Sequence, residues 1–307
     1  MGVVLLCACA RPHPETPEPV AETIVVPDRR AEALEAALHA RLAELDSGYV
    51  AVAFVDLETG RRIGINEHES MHAASTMKVP VLLELFRQAD ANRFAITDSI
   101  VVTNRFRSIA DTSTYSLTPA DDSDSTLYKR VGQKAALREL ARLMITRSSN
   151  LATNILIERL TADSIMNTLA QYNAPGMKVL RGVEDGPAYR KGLNNTTTAD
   201  GFARALELIA RCKVTAERAC TEMIDILSAQ EFNEMIPAGL PTGTRVAHKT
   251  GWITAIQHDG GIVYSPDRLP YVLVVLTRGI NDTAKAARVG ADLSRSVWES
   301  VTSDTWI

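Results

Sequence analysis

The sequence predicts a mixed α/β (α+β) protein. An antiparallel sheet is built from both chain ends, terminal helices lie on its outer face, and an all-helical block is inserted between the strands. Three observations carry this reading. Strand chemistry appears near residue 50 and again after Pro241, helical periodicity fills the region between, and an amphipathic helical segment lies at each end. Residues 30–45 place Leu and Ala at helical spacing with Glu and Arg between them. Residues 49–57 are rich in Val and Phe, Glu58-Thr59-Gly60 is turn chemistry, and 61–66 return with alternating Ile, which describes a hairpin. Helices are predicted over 76–88, 134–145, 151–160, 164–172, 198–211 and 216–229. Strands are predicted over 245–254, 257–264 and 271–278, and a helix over 282–299 closes the chain. A cleft between sheet and helices is the expected site.

Composition narrows the function classes. The 307 residues carry 33 Lys plus Arg against 37 Asp plus Glu, and this net charge of −4, with both signs mixed along the chain, argues against a nucleic-acid partner. No apolar run approaches the roughly 20 residues of a membrane-spanning helix, and no period of about 20–50 residues repeats. An enzyme or a binding domain remains, read as a monomer.

The first ten residues are apolar and end in small residues, like the second half of a secretory signal peptide without its basic leader. Leu6-Cys7-Ala8-Cys9 resembles a bacterial lipobox, which makes Cys9 a candidate lipid anchor. Pro12, Pro14, Pro17, Pro19 and Pro27 crowd the next segment, which reads as an extended tether. The expected organisation is a leader over 1–10, a tether over 11–29, a sheet-bearing part from 30–74 and 240–307, and a helical part over 75–239. Export, to the periplasm or to a membrane-tethered state, is the expected location. It would place Cys212 and Cys220 where oxidants can join them; a disulfide and two free buried thiols stay equally open.

Four elements bear chemistry. His68-Glu69-Ser70-Met71-His72 matches the H-E-x-x-H pattern of zinc peptidases, but no long apolar helix fixes the histidines and no third ligand is evident, so no metal is assigned. Ser75-Thr76-Met77-Lys78 precedes an apolar run. Residues three apart share a helix face, so the Lys78 amine can sit beside the Ser75 hydroxyl and take its proton, provided burial or a second cation keeps the amine neutral. Ser148-Ser149-Asn150 falls at a junction between two predicted helices, where a helix N-cap is the simplest reading. Lys249-Thr250-Gly251 lies in a strand, where glycine marks close approach of a backbone or a ligand, and lysine with threonine grips an anion.

Taken together, the last three elements stand in the order and approximate spacing of the S-x-x-K, S-D-N and K-T-G set, and over roughly residues 30–305 the chain resembles the class A β-lactamase superfamily of serine acyl-enzymes. The resemblance implies a β-lactamase/transpeptidase-like fold and a small-molecule substrate, a β-lactam or a cell-wall peptide, with no metal or organic cofactor. It implies that Ser75 is the nucleophile, Lys78 its base and Ser148 the proton relay to the departing nitrogen. Asn150 would bond the substrate amide, and Lys249 and Thr250 the substrate carboxylate, with Lys249 also favouring a neutral Lys78. The backbone N–H groups of Ser75 and of Trp252, which follows Gly251, would hold the oxyanion. Trp252 is bulky where relatives often carry a small residue, so it narrows the mouth or lines it for an aromatic group.

Two departures bear on the outcome. Ser149 replaces the usual aspartate and removes a charge that braces the neighbouring loop. Counting back without a gap from the Thr196-Thr197-Thr198 run puts Gly182, not an acid, where class A enzymes carry the glutamate that activates the deacylating water. Glu184 qualifies with a two-residue gap, and Asp185 is a weaker candidate. The acidic loop Asp121-Asp122-Ser123-Asp124 and Tyr115 are expected to border the cleft. Three outcomes stay open: a true β-lactamase with Glu184 as base, a penicillin-binding or D,D-peptidase-like acyl-enzyme that deacylates slowly, and a non-catalytic tethered binding module.

Overall fold

The computed structural model describes Gly2 and residues 29–303. The leader with Cys7 and Cys9 and the proline-rich segment through residue 28 lie outside the described residues. Helix α1 spans Arg29–Ala43, so the last residue assigned to the tether belongs to the helix. Strands β1 (Tyr49–Asp56) and β2 (Arg62–Ile65) form the expected hairpin. After the helical block come β3 (Val246–Ile253), β4 (Ile256–Val263) and β5 (Tyr271–Arg278).

The five strands form one antiparallel sheet in the order β3-β4-β5-β1-β2. The chain ends meet at its centre, where Tyr49 faces Arg278 and Asp56 faces Tyr271. Both faces of β1 are covered, so its sequence is a continuous apolar run rather than an alternation. Ala51, Ala53 and Val55 point into the core shared with the helices, while Val50, Val52 and Phe54 point into a second core. That second core is closed by Leu34 and Leu38 of α1 and by Leu293 and Val297 of the C-terminal helix (Thr283–Val301).

Between the hairpin and β3 the chain forms α2 (Lys78–Asp90), α3 (Leu137–Thr146), α4 (Asn150–Leu160), α5 (Ala162–Gln171), the short α6 (Gly186–Arg190), α7 (Ala199–Ala210) and α8 (Glu217–Ser228). The C-terminal helix is then α9. Almost every side chain of α2 is buried, charged Lys78 and Glu84 included. Glu84 is tied down by Arg87, Gln88 and, from α5, Thr168.

The helix predicted from residue 134 begins at Leu137, because Lys134–Ala136 pairs instead with Ser99–Val101 as a short ribbon. Met71–His72, Thr196–Thr197 and Met177–Lys178 make a second ribbon of two-residue strands, too short to leave a periodic signature. Cys212, just after α7, and Cys220, in the first turn of α8, are free thiols. Burial and a hydrogen bond with the Cys220 thiol push Cys212 up to about 12.

Phe54 is fully buried with its ring 5.6 Å from that of Tyr271. Phe54→Ala should therefore cost about 3–5 kcal/mol of stability, read as a lowered urea midpoint.

Candidate active site

Ser75 sits where the short strand Met71–His72 turns into α2. The turn is a single 3₁₀ segment, Ala74–Met77, and α2 starts at Lys78, so Ser75 lies in the turn and does not cap the helix. Three hydrogen bonds hold the turn to the rest of the molecule. Ala73 N–H donates to Asn195 O at 2.9 Å, Ala74 N–H to His72 Nδ1 at 3.1 Å, and His258 Nε2–H to His72 O at 3.0 Å. Thr277 N–H donates to His258 Nδ1 at 3.2 Å, and burial pushes His258 down to about 4. His258 is thus a neutral donor fixed in one tautomer.

Strand β3 is the edge of the sheet and passes beside this turn. A Cβ on Gly251 would lie 2.8 Å from the Ser75 nitrogen and 3.0 Å from the Thr76 nitrogen, so only glycine lets the strand come this close. Tyr264 N–H bonds Arg245 O, which sets the alternation along β3 and turns the amide of Trp252 to the open edge that the Ser75 turn flanks.

Lys78 is fully buried. Its ammonium donates to Ser148 O at 2.7 Å, Ser148 Oγ at 3.1 Å and Asn150 Oδ1 at 2.8 Å. The three side-chain hydrogen bonds of Lys78 among the described residues therefore all go to the S-S-N motif. Ser148 accepts twice because it adopts a left-handed φ of 57°, which turns its carbonyl and its side chain toward the same amine. Burial pulls Lys78 down to about 7, against the opposing pull of Asp122 and Glu184. Lys249 is the second cation expected beside Lys78, and burial and the Lys78 amine together hold it well below the usual lysine range.

Lys249 is equally buried, and its Nζ donates to Thr250 O at 2.9 Å. The Thr250 hydroxyl beside it is buried and has no hydrogen-bond partner among the described residues. A low-dielectric lysine next to an unused hydroxyl is a donor set for an anion. On the other face of β3, His248 Nδ1 lies 2.9 Å from Asp259 Oδ1, and Asp259 also accepts from Ile236 N–H at 3.1 Å.

Ser75, Asn150 and Trp252 line a cleft of about 620 Å³ whose walls also include His72, Asp121 and Ser123, with the 181–195 loop opposite, while Lys78, Ser148, Lys249 and Thr250 are buried behind its lining. Trp252 is 39% exposed and packs edge-on against Phe232, with ring centroids 4.8 Å apart. Tyr115, expected at the cleft, lies behind the loop instead, its ring against Phe106 and its hydroxyl 3.4 Å from Asn154 Nδ2.

The loop separates its two acids. Asp185 is buried and its carboxylate is taken by Ser108 Oγ at 2.7 Å, Ile109 N–H at 3.0 Å and Ala188 N–H at 3.0 Å, so it is a cap for α6 and not a free base. Glu184 is exposed, at φ 59°, on the cleft wall. A Cβ at position 182 would meet Asn154 Oδ1 at 2.6 Å, so a side chain there would have to displace Asn154. That same Asn154 clamps the next residue, accepting from Val183 N–H at 2.7 Å and donating to Val183 O at 2.9 Å.

Asn195 performs the matching task at the loop's base, accepting from Leu180 and Arg181 N–H and donating to Arg181 O. Asn154, Asn195, His258 and Asp122 escape a motif search. The signal available for them is a polar residue inside an apolar helical or strand pattern. Of the H-E-x-x-H residues, His68 is exposed beside Glu67 and His72 lies on the ribbon, so they do not share a helix face.

The family model that matches the chain is described as the beta-lactamase enzyme family, over residues 32–301. A beta-lactamase of Bacillus amyloliquefaciens is 26% identical over 240 residues, which is 77% of this chain and 74% of that protein. The solved structure of PBP-A superposes with a TM-score of 0.74 at 24% identity, covering 87% of this chain and 95% of that one. A variant of PBP-A is known as an acyl-enzyme complex with penicillin G. A beta-lactamase from Chitinophaga pinensis gives a TM-score of 0.76 at 20% identity, covering 88% of this chain and all of that one.

The depressed Lys78 has a thermodynamic signature. With an ordinary value of 10.5 in the unfolded chain and about 7 in the folded one, the unfolded state binds more protons between those limits, so stability rises with pH across the window. Lys78→Met should flatten that slope, removing about 2 kcal/mol of the gain between roughly pH 7 and pH 9 in urea titrations.

Proposed function

The chain belongs to the beta-lactamase enzyme family, and from that premise we propose that it is a serine hydrolase that opens the cyclic amide of a β-lactam through an acyl-enzyme on Ser75. The observation that carries the reading is the Lys78 hub. A buried amine that titrates near neutrality is bonded to Ser148 and sits one turn after Ser75. Ser75 Oγ attacks the lactam carbonyl and its proton passes to neutral Lys78. The oxyanion lies between the N–H groups of Ser75 and Trp252. Lys78 returns the proton through Ser148 Oγ to the departing ring nitrogen. Asn150 bonds the substrate amide, and Lys249 with the unpartnered Thr250 hydroxyl takes the substrate carboxylate.

Release of the acyl group needs a base for water. Glu184 is the proposed base, because Asp185 is committed to its cap and residue 182 is a glycine. One observation favours a second reading, an acyl-enzyme that lingers as in a penicillin-binding protein. The Glu184 side chain is exposed, and no hydrogen bond fixes it over the cleft among the described residues.

Mixing the protein with a chromogenic cephalosporin, and following absorbance together with intact mass, separates the two. Steady turnover without a lasting adduct supports hydrolysis, and Glu184→Gln should then trap the adduct and slow turnover at least 100-fold. A stoichiometric burst with a persistent mass increase supports the second reading. Ser75→Ala should abolish labelling in either case, and labelling of that variant would refute the assignment. The wild-type acylation rate should rise with pH through about 7 and then level, as Lys78 loses its proton.

A further inference from the structure

We propose that Asp122 is a positioning residue for acylation, supplying from the neighbouring loop the carboxylate that the Ser148-Ser149-Asn150 motif lacks. The inference rests on the reading of Lys78 and Ser148 as the acylation machinery.

The first amides of a helix have no partner within the helix and need an acceptor from elsewhere. At α4 the hydroxyl of Ser149 accepts only the third of them, Ala152 N–H, at 3.3 Å. The first two are taken by Asp122. Asn150 N–H lies 2.9 Å from both of its oxygens, and Leu151 N–H lies 2.9 Å from Oδ2. The carboxylate is itself aimed from behind, since Tyr128 OH donates to Oδ2 at 2.8 Å and Asp124 N–H to Oδ1 at 3.1 Å. An anion with four donors at the positive end of a helix is a strong tie, and this one joins segments 28 residues apart.

What the tie fixes is the machinery. Asn150 presents Oδ1 to Lys78 at 2.8 Å, and the adjoining Ser148 carbonyl accepts from Lys78 at 2.7 Å, so the backbone that Asp122 holds carries the lysine's acceptors. Asp121 and Ser123 flank it on the cleft wall, so the same contact sets that wall. The charge acts as well. Asp122 and, from the opposite loop, Glu184 favour the Lys78 ammonium, while Lys249 on β3 opposes it. An aspartate at position 149 would bring a second carboxylate to the same cluster of amides and repel Asp122. Serine at 149 and aspartate at 122 are two halves of one arrangement.

The test uses the full chain and three variants, Asp122→Asn, Ser149→Asp and the double. Penicillin acylation is followed by intact mass across pH, and the Lys78 titration by NMR of isotopically labelled lysine. Asp122→Asn should acylate about 10- to 100-fold more slowly at its plateau, from the loss of charge-assisted hydrogen bonds. Its rising pH limb and the Lys78 midpoint should both move down by about half a unit or more. Ser149→Asp alone should slow acylation, whereas in the Asp122→Asn background it should restore the rate to within about threefold of wild type.

A purely structural role predicts losses that add, with no change in the Lys78 midpoint, and that result overturns the proposal. So does an Asp122→Asn protein with the wild-type rate and midpoint. If Asp122→Asn does not fold, Ser149→Asp decides alone, and an unchanged rate and midpoint there refute the coupling. Wild-type protein that takes no penicillin refutes the acyl-enzyme reading instead, and the Lys78 midpoint in the variants then decides the role of Asp122.

Discussion

A lysine amine removed from water must be met by acceptors or give up its proton, and the site is organised around that demand at Lys78. Its three acceptors come from one junction, where the left-handed turn at Ser148 brings a carbonyl, a hydroxyl and the Asn150 amide oxygen to one point. Burial pulls the amine toward its neutral form. The carboxylates of Asp122 and Glu184 draw it the other way and leave its titration near neutral pH, where small changes in surroundings move a large fraction of its protons. The second buried amine, on Lys249, is held well below the usual lysine range by its own burial and by Lys78.

The sheet, the central helices and the three motifs are set by local pattern, and the sequence predicts them well. β1 and β5 are dense in Val and Leu, and α7 shows a clear apolar face, so periodicity finds them. What fails is what depends on partners distant in the chain. Lys134–Ala136 has helical composition yet pairs as a strand with Ser99–Val101, because a ribbon partner is available. Asp122 and Asp185 look alike as loop acids. One seats on a helix end from 28 residues away and the other on Ser108 and Ile109 as well as its own helix, and nothing local distinguishes them. Tyr115 is an aromatic near the cleft in sequence, but Phe106 draws its ring behind the loop.

The loop across the cleft shows how asparagine side chains can replace secondary structure. Asn154 closes a two-way bridge on Val183 and Asn195 does the same on Arg181, each imitating the pairing a neighbouring strand would give. The backbone is thereby fixed while the side chain of Glu184 stays outside. Since Asn195 also accepts from Ala73, the base of the loop and the nucleophile turn share one support.

The meeting of β1 with β5 has a consequence for how the chain reaches this state. Their partners are more than 200 residues apart, so the central pairing of the sheet carries a large loop-closure entropy and waits until nearly the whole chain is available. Until then β1 has only the four-residue β2 beside it. On a ribosome, or during threading from the N-terminus, its apolar run stays uncovered on one edge throughout synthesis of the helices. Folding of this protein is thus gated by arrival of its last strands, and aggregation competes in that interval rather than after the native sheet has closed.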